Sequence, residues 1–185
     1  MNPTEYLPPV GETLEERMAL FAKNSKELTT DFRLLDSVEA LQAELVAIAQ
    51  AEGWKSVAAH GDVPVSVLPV VYTDRGGYDI RALEACDAGI TACDALVAQT
   101  GSVLVTSRSI GGRALTVLPP HHVVIARREQ LVADLPAAFA LVKSRYAPDY
   151  PSMISFITGP SRTGDIERIL VLGAHGPKKL TVLCA

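Results

Sequence analysis

Apolar positions recur at helical spacing in the first third of the chain and in short β-branched runs through its middle. Leu14, Met18, Phe21 and Ala22 share one helical face. Thr13-Leu-Glu-Glu16 ahead of them is a capping box, so the pattern predicts a helix from Thr13 to about Leu28. A short strand is expected at Asp31 to Leu35. Ser37 then caps a second helix, with Leu41, Leu45, Ile48 and Ala49 on its inner face and Gly53 as its stop. Lys55 to Ala59 reads as the next strand. Val65 to Tyr72 is apolar and β-branched, and Asp74-Arg-Gly-Gly77 is a turn or loop. Apolar runs follow at Ala88–Ala92, Ala95–Ala98, Val103–Thr106, Leu115–Leu118 and Val123–Ala126, most of them parted by turn residues. Glu129 to about Tyr146 is a helix with a kink expected at Pro136, closed off by Pro148 and Pro151. A strand at 153–157, a tight loop, a short helix from Thr163 and a last strand from Leu180 to Cys184 complete the pattern.

Early strands alternate with helices, which predicts a parallel sheet covered on both faces. The middle runs lie too close together for helical crossovers, so part of the sheet is expected to be antiparallel. The fold class is therefore α/β with a mixed sheet. Residues 1–11, with three prolines and a glycine, read as an N-terminal arm, and 12–185 as a single domain.

Composition narrows the function classes. The chain has 185 residues, 48% of them apolar and 21% charged, enough to bury a sizeable core. A net charge of −4 without a basic stripe argues against a nucleic-acid partner. No apolar run approaches the roughly 20 residues of a membrane span, and the first residues lack the basic start and apolar core of a secretion signal. Cys86, Cys93 and Cys184 show no Cys-x-x-Cys spacing, so free thiols in a reducing cytoplasm are expected. A metal site or an iron–sulfur cluster held by this chain alone is not, because typical clusters need four close thiolates.

The densest chemistry lies near the end, in Ser155-Phe-Ile-Thr-Gly-Pro-Ser-Arg-Thr-Gly-Asp-Ile-Glu167. An apolar run stops at Thr158-Gly159-Pro160, and hydroxyls and an arginine follow. A strand entering a loop and then a helix would gather backbone N–H groups, a dipole and a guanidinium, which is how anions are held.

Thr158-Gly-Pro-Ser-Arg-Thr-Gly-Asp-Ile-Glu167, followed by Leu170-Val-Leu-Gly-Ala-His-Gly-Pro177, resembles the signature of the lactate-utilization (LUD) domain family, in its LutC-like branch. Two further blocks agree: Ala88–Val105 and Leu118-Pro-Pro-His-His-Val-Val-Ile125. The likeness runs from about Asp87 to Cys184, and the N-terminal half matches in general pattern only. Gly164 stands where the family usually has alanine, and Gln99 where many relatives carry a carboxylate before Thr-Gly. The resemblance implies a three-layer α/β/α fold with a mixed, largely parallel sheet, similar to the isomerase, deaminase and CoA-transferase group. It also implies an accessory role beside iron–sulfur lactate-oxidation proteins.

The candidate ligand-binding residues are Thr158, Gly159, Ser161, Arg162, Thr163 and Thr100. Arg162 can grip a carboxylate or phosphate through two parallel hydrogen bonds. Ser161 and Thr163 can donate hydroxyls, or one of them simply caps the helix while Arg162 pairs with Asp165 or Glu167. Asp165 and His175 are the candidate acid–base residues: Asp165 either orients Arg162 or works as a base if burial raises its pKa, and His175 sits between glycines where an imidazole can shuttle protons. Glu167 fits a dipole-stabilising role. His121 and His122, adjacent on a strand, point to opposite faces and cannot share one metal. Gln99-Thr-Gly-Ser102 is a turn, and glutamine there cannot serve as the nucleophile that a glutamate provides in CoA transferases of this fold. Asp94 is a buried acceptor or a site acid. Arg75 in the 74–77 segment and Gly111-Gly112-Arg113 are loop features, and neither glycine pair matches a dinucleotide or P-loop pattern, so no cofactor is expected.

Three functions remain open at this stage. The first is a LutC-like component that binds a small anionic metabolite or a partner in the 158–175 region. The second is a stand-alone enzyme acting on a phosphorylated or acyl-CoA metabolite. The third is a non-catalytic scaffold.

Overall fold

The computed structural model of the chain describes residues 9–60, 63–68, 70–73, 79–109, 111, 113–163, 171–172 and 175–185. Residues 1–8 of the expected arm, the 74–77 segment, Gly112 and residues 164–170 lie outside them.

The two N-terminal helices form as their capping signals dictate. Helix α1 (Leu14–Glu27) starts at Thr13, whose side chain accepts from the Glu16 N–H while the Glu16 carboxylate takes the Thr13 N–H at 3.0 Å. Helix α2 (Val38–Glu52) starts at Ser37 and ends at Gly53, whose φ of 68° is the left-handed stop that a glycine adopts without strain. Strand β1 (Asp31–Leu34) lies between them, and β2 (Val57–Ala59) and β3 (Val70–Thr73) follow α2. Helix α3 (Ile80–Glu84), capped by Asp79, is one turn too short to show a period in the sequence.

Strands β4 (Ala88–Thr91), β5 (Ala95–Val97), β6 (Ser102–Thr106) and β7 (His121–Ala126) account for four of the five middle apolar runs. In the fifth, Ala114–Thr116 is a 3-10 turn. Strand β8 (Leu131–Val132) precedes helix α4 (Leu135–Tyr146), which begins later than the apolar pattern suggested. Asp134 caps α4, and Pro136 sits in its first turn, where a missing N–H costs nothing, so no kink arises. Strands β9 (Ile154–Ile157), β10 (Arg162–Thr163), β11 (Val171–Leu172) and β12 (Lys179–Cys184) complete the chain.

Six strands form one parallel sheet in the order β1-β12-β7-β4-β2-β3. The expected antiparallel part falls in a separate sheet, β8-β5-β6-β9, where tight connections join β5 to β6 and both β6 pairings run antiparallel. The result is a three-layer α/β fold. Helix α2 packs Leu41, Leu45 and Ile48 on one face of the large sheet, against Val57, Ile90 and Val123. The other face buries Leu180, Val182 and Val124 against α1 and the smaller sheet, through Phe21, Leu96 and Val103. Helix α4 backs the smaller sheet through Ala138 and Val142.

Alternation along β7 sends His121, Val123 and Ile125 toward α2, and His122, Val124 and Ala126 toward the smaller sheet. The end of the sheet where β7 and β12 begin thus carries two histidines on opposite faces.

Candidate functional site

Strand β9 ends at Ile157, and the chain turns through Thr158-Gly159-Pro160 toward the end of the sheet where β7 and β12 begin. Gly159 has a φ of 85°, and a Cβ built there would stand 2.6 Å from the Leu28 carbonyl oxygen at the end of α1. A glycine is required on both counts. The Ser161 N–H donates to the Pro177 carbonyl at 2.9 Å, tying the loop to the approach of β12. The Thr158 and Ser102 hydroxyls are 2.8 Å apart, tying it to β6.

Beneath this loop lies a cavity of about 450 Å³. Thr158, Gly159 and Ser161 line it together with His175, four of the residues the sequence singled out. Arg113, Thr116 and Ser155 add polar groups, and Val117, Met153 and Ile157 an apolar wall. The Arg113 guanidinium is set by a 2.7 Å bond from Nη2 to the Ser152 carbonyl. No carboxylate lines the cavity among the described residues.

His122 forms part of the floor and is only 1% exposed. Its Nε2 is 2.9 Å from the Thr91 hydroxyl, and its Nδ1 has no hydrogen-bond partner. Burial lowers its pKa to about 3, with the charge of His121 adding to the effect, so the ring is neutral at physiological pH. A neutral imidazole beside an arginine and several hydroxyls makes a pocket that accepts one negative charge without holding a carboxylate of its own.

The sequence-flagged residues separate here. Thr163 is not a helix start. Arg162 and Thr163 form β10, paired antiparallel with Leu172 and Val171, and residues 164–170, where the expected helix would continue, lie outside the described residues. The β-branched Thr163 and Val171 suit a ladder better than a helix start. Arg162 is exposed, off the cavity wall, and its Nη2 lies 3.5 Å from the Cβ position built on Gly159. Thr100 sits on the β5–β6 turn, away from the cavity, with a buried hydroxyl lacking a hydrogen bond. Asp165, Glu167 and Arg75 lie outside the described residues.

His121 and His122 are on opposite faces as expected, each bonded to a threonine of a neighbouring strand. Asp94 is the buried acceptor: it is 2% exposed and takes bonds from Arg145, at 2.8 Å, and from the Tyr146 hydroxyl. Cys86, Cys93 and Cys184 are buried free thiols, and burial raises the pKa of each. Among the described residues no group of His, Cys, Asp and Glu is placed to hold a metal, and no helix is long and apolar enough to cross a membrane.

Sequence reasoning missed His122, Ser155 and the site role of Arg113. The available signal was indirect: a histidine at the mouth of a strand after Pro119-Pro120, and an arginine after glycines.

Comparison with known proteins adds a second line of evidence. The LUD domain family matches residues 75–184. Lactate utilization protein C of Geobacillus kaustophilus is 38% identical over 205 aligned residues, covering 96% of this chain and 82% of that protein. Lactate utilization protein C of Anoxybacillus flavithermus is 35% identical over 109 residues, 59% of this chain and 48% of that one. The protein of the same name from Bacillus subtilis is 34% identical over 108 residues, covering 57% and 45%. In the last two the match spans about half of the relative's length. Among solved structures, a DUF162 family protein from Deinococcus radiodurans superposes with a TM-score of 0.72 at 19% identity, covering 94% of this chain and 99% of that one. That likeness is one of fold.

Proposed function

Because the chain belongs to the LUD domain family, in its LutC-like branch, we propose that it serves lactate utilization as an accessory component working beside iron–sulfur proteins. Its part is to bind a small monocarboxylate, such as lactate or the pyruvate formed from it, in the cavity under the 158–161 loop. The observation that carries this reading is the lining. Arg113 and His175 stand with the Ser155, Thr158 and Ser161 hydroxyls, and the described lining has no carboxylate to oppose an anion.

The chemistry is recognition. Arg113 offers paired N–H donors to a carboxylate. The hydroxyls take up the remaining lone pairs, and the Val117, Met153 and Ile157 wall accepts a methyl group. Neutral His122 at the floor adds no charge, which favours one carboxylate over two. Arg162, exposed beside Gly159, attracts the anion to the mouth. The chain carries no cysteine set for a cluster, so electrons are supplied and accepted by partner proteins.

A thermal-shift screen of the pure protein with lactate, pyruvate, sugar phosphates and CoA esters tests this. Stabilisation by the monocarboxylates supports it. A response confined to phosphorylated or acyl-CoA compounds would move the reading to an enzyme on this fold, and no response to any of them would leave a scaffold. Complementation of a strain lacking the gene, grown on lactate, tests the biological half.

A further inference from the structure

At the same end of the sheet, on the α2 side, lies a larger cleft of about 600 Å³, between the last turns of α2 and the starts of β1, β7 and β12. Its walls have two characters. Ala47, Ile48 and Ala51 of α2 form an apolar side, and Pro160 and Leu180, which also line the first cavity, stand between the two. The other side is charged: Arg33, Lys178 and Lys179 stand with Asp31 and Glu52.

The charged groups are not equivalent. Arg33 is held by Asp31 at 2.7 Å and by Glu44 behind it, and Lys179 is held by Glu52 at 2.6 Å. Those cations are already matched. Lys178 is exposed and has no carboxylate partner among the described residues. The cation of this lining left without an ion pair among the described residues is therefore Lys178, which shares the lining with His121.

His121 is 5% exposed, bonds the Thr181 hydroxyl at 2.8 Å through Nε2, and has no hydrogen-bond partner at Nδ1. Its ring meets Trp54 edge-on, with centroids 5.2 Å apart. Trp54 lines a smaller hollow of about 200 Å³ that shares Glu52, His121, Lys178 and Lys179 with the cleft. It is also the only tryptophan in the chain.

We propose that this cleft, which adjoins the β9 cavity across Pro160 and Leu180, is a second binding site that takes an organic acid with one charged group and a compact apolar body. The charge sits at Lys178 and His121, and the body lies along Ala47, Ile48 and Ala51. A dianion does not suit it, because the other two cations are already neutralised. A bare small anion does not suit it either, because it leaves the apolar wall in contact with water.

Trp54 serves as the reporter. The full chain is titrated with hexanoate, acetate and hexanamide while tryptophan emission is followed, and calorimetry run alongside counts the sites. Hexanoate is expected to change the emission saturably. Acetate, lacking the body, and hexanamide, lacking the charge, are expected to change the emission with at least about tenfold weaker apparent affinity. Lys178→Glu is expected to weaken the hexanoate emission response by a similar factor, and Arg108→Ala, which lines neither cavity, to leave it unchanged. Any of four results overturns the proposal: no heat and no emission change, heat without an emission change, acetate or hexanamide matching hexanoate in the emission response, or an emission response to hexanoate that Lys178→Glu leaves unchanged.

Discussion

Replacing Gly159 with alanine tests how the loop over the cavity is held. The backbone there has a φ of 85°, and left-handed backbone costs a residue with a Cβ about 1–2 kcal/mol. The new Cβ would also stand 2.6 Å from the Leu28 carbonyl oxygen, a backbone atom that cannot swing aside as a side chain can. Forcing extra volume into a packed position costs a further 1–3 kcal/mol or so. We expect Gly159→Ala to destabilise by about 3 kcal/mol. In a chain of this length each kcal/mol moves the melting temperature by about 2–4 °C, giving a fall of roughly 6–12 °C. Gly159→Asn separates the two terms, since asparagine tolerates the left-handed region but still carries a Cβ; it should lose about 1 kcal/mol less than alanine. Urea unfolding followed by circular dichroism measures both. If both variants lie within about 0.5 kcal/mol of the parent, the loop is not seated on the end of α1 and the cavity geometry falls with it.

Other consequences are checked independently. Asp94→Ala removes a buried acceptor of two charge-assisted bonds and should cost about 3 kcal/mol in chemical unfolding; a loss under about 1 kcal/mol would contradict the network with Arg145 and Tyr146. Burial lowers the pKa of His121 to about 4 and of His122 to about 3, so the folded state keeps both neutral while the unfolded chain protonates them near 6.5. Their contribution is complete above about pH 6.5 and is lost as pH falls toward those folded values, at about 1.4 kcal/mol per pH unit for each proton. His122→Asn should remove about one proton's worth of that slope between pH 6.5 and 5, and an unchanged slope would refute the assignment. Arg162→Ala should shift stability by no more than about 0.5 kcal/mol while weakening the anion less than Arg113→Ala does; the opposite order would put Arg162 in the site. The three buried thiols should react with a maleimide only on unfolding, and fast native labelling would contradict their burial.

The sequence was most readable where the information is local. Thr13 with Glu16, and Ser37 with Gly53, mark the limits of α1 and α2 because capping depends on residues within one turn. The reading failed where long-range pairing decides. Thr163 looked like a helix start, yet its partner is Val171, and only the hairpin geometry reveals that. The close spacing of the middle strands correctly implied antiparallel pairing, but not that β8, β5, β6 and β9 form a sheet of their own. Pro136 looked like a kink because the start of α4 was placed several residues too early.

The candidate site shows the same division. Thr158, Gly159, Ser161 and His175 stood out as small, hydroxyl or imidazole residues around tight turns, and the fold brings them to one cavity. His122 could be excluded from a shared metal site by strand alternation, but its place in the cavity floor depends on β7 meeting β9 across the core. Arg113 comes from a loop whose position no local pattern specifies. Arg162 had the right chemistry in the right segment and still lies outside the lining, because it is exposed on β10, whose pairing with β11 no local pattern reveals.

Calorimetric titration with lactate and with pyruvate, on the parent chain and on Arg113→Ala, tests the central claim most directly. The account predicts one saturable site per chain for at least one of the two acids, and a loss of at least tenfold in affinity, about 1.4 kcal/mol, when the guanidinium is removed. No saturable heat with either acid, or equal binding by the parent and the variant, would contradict it.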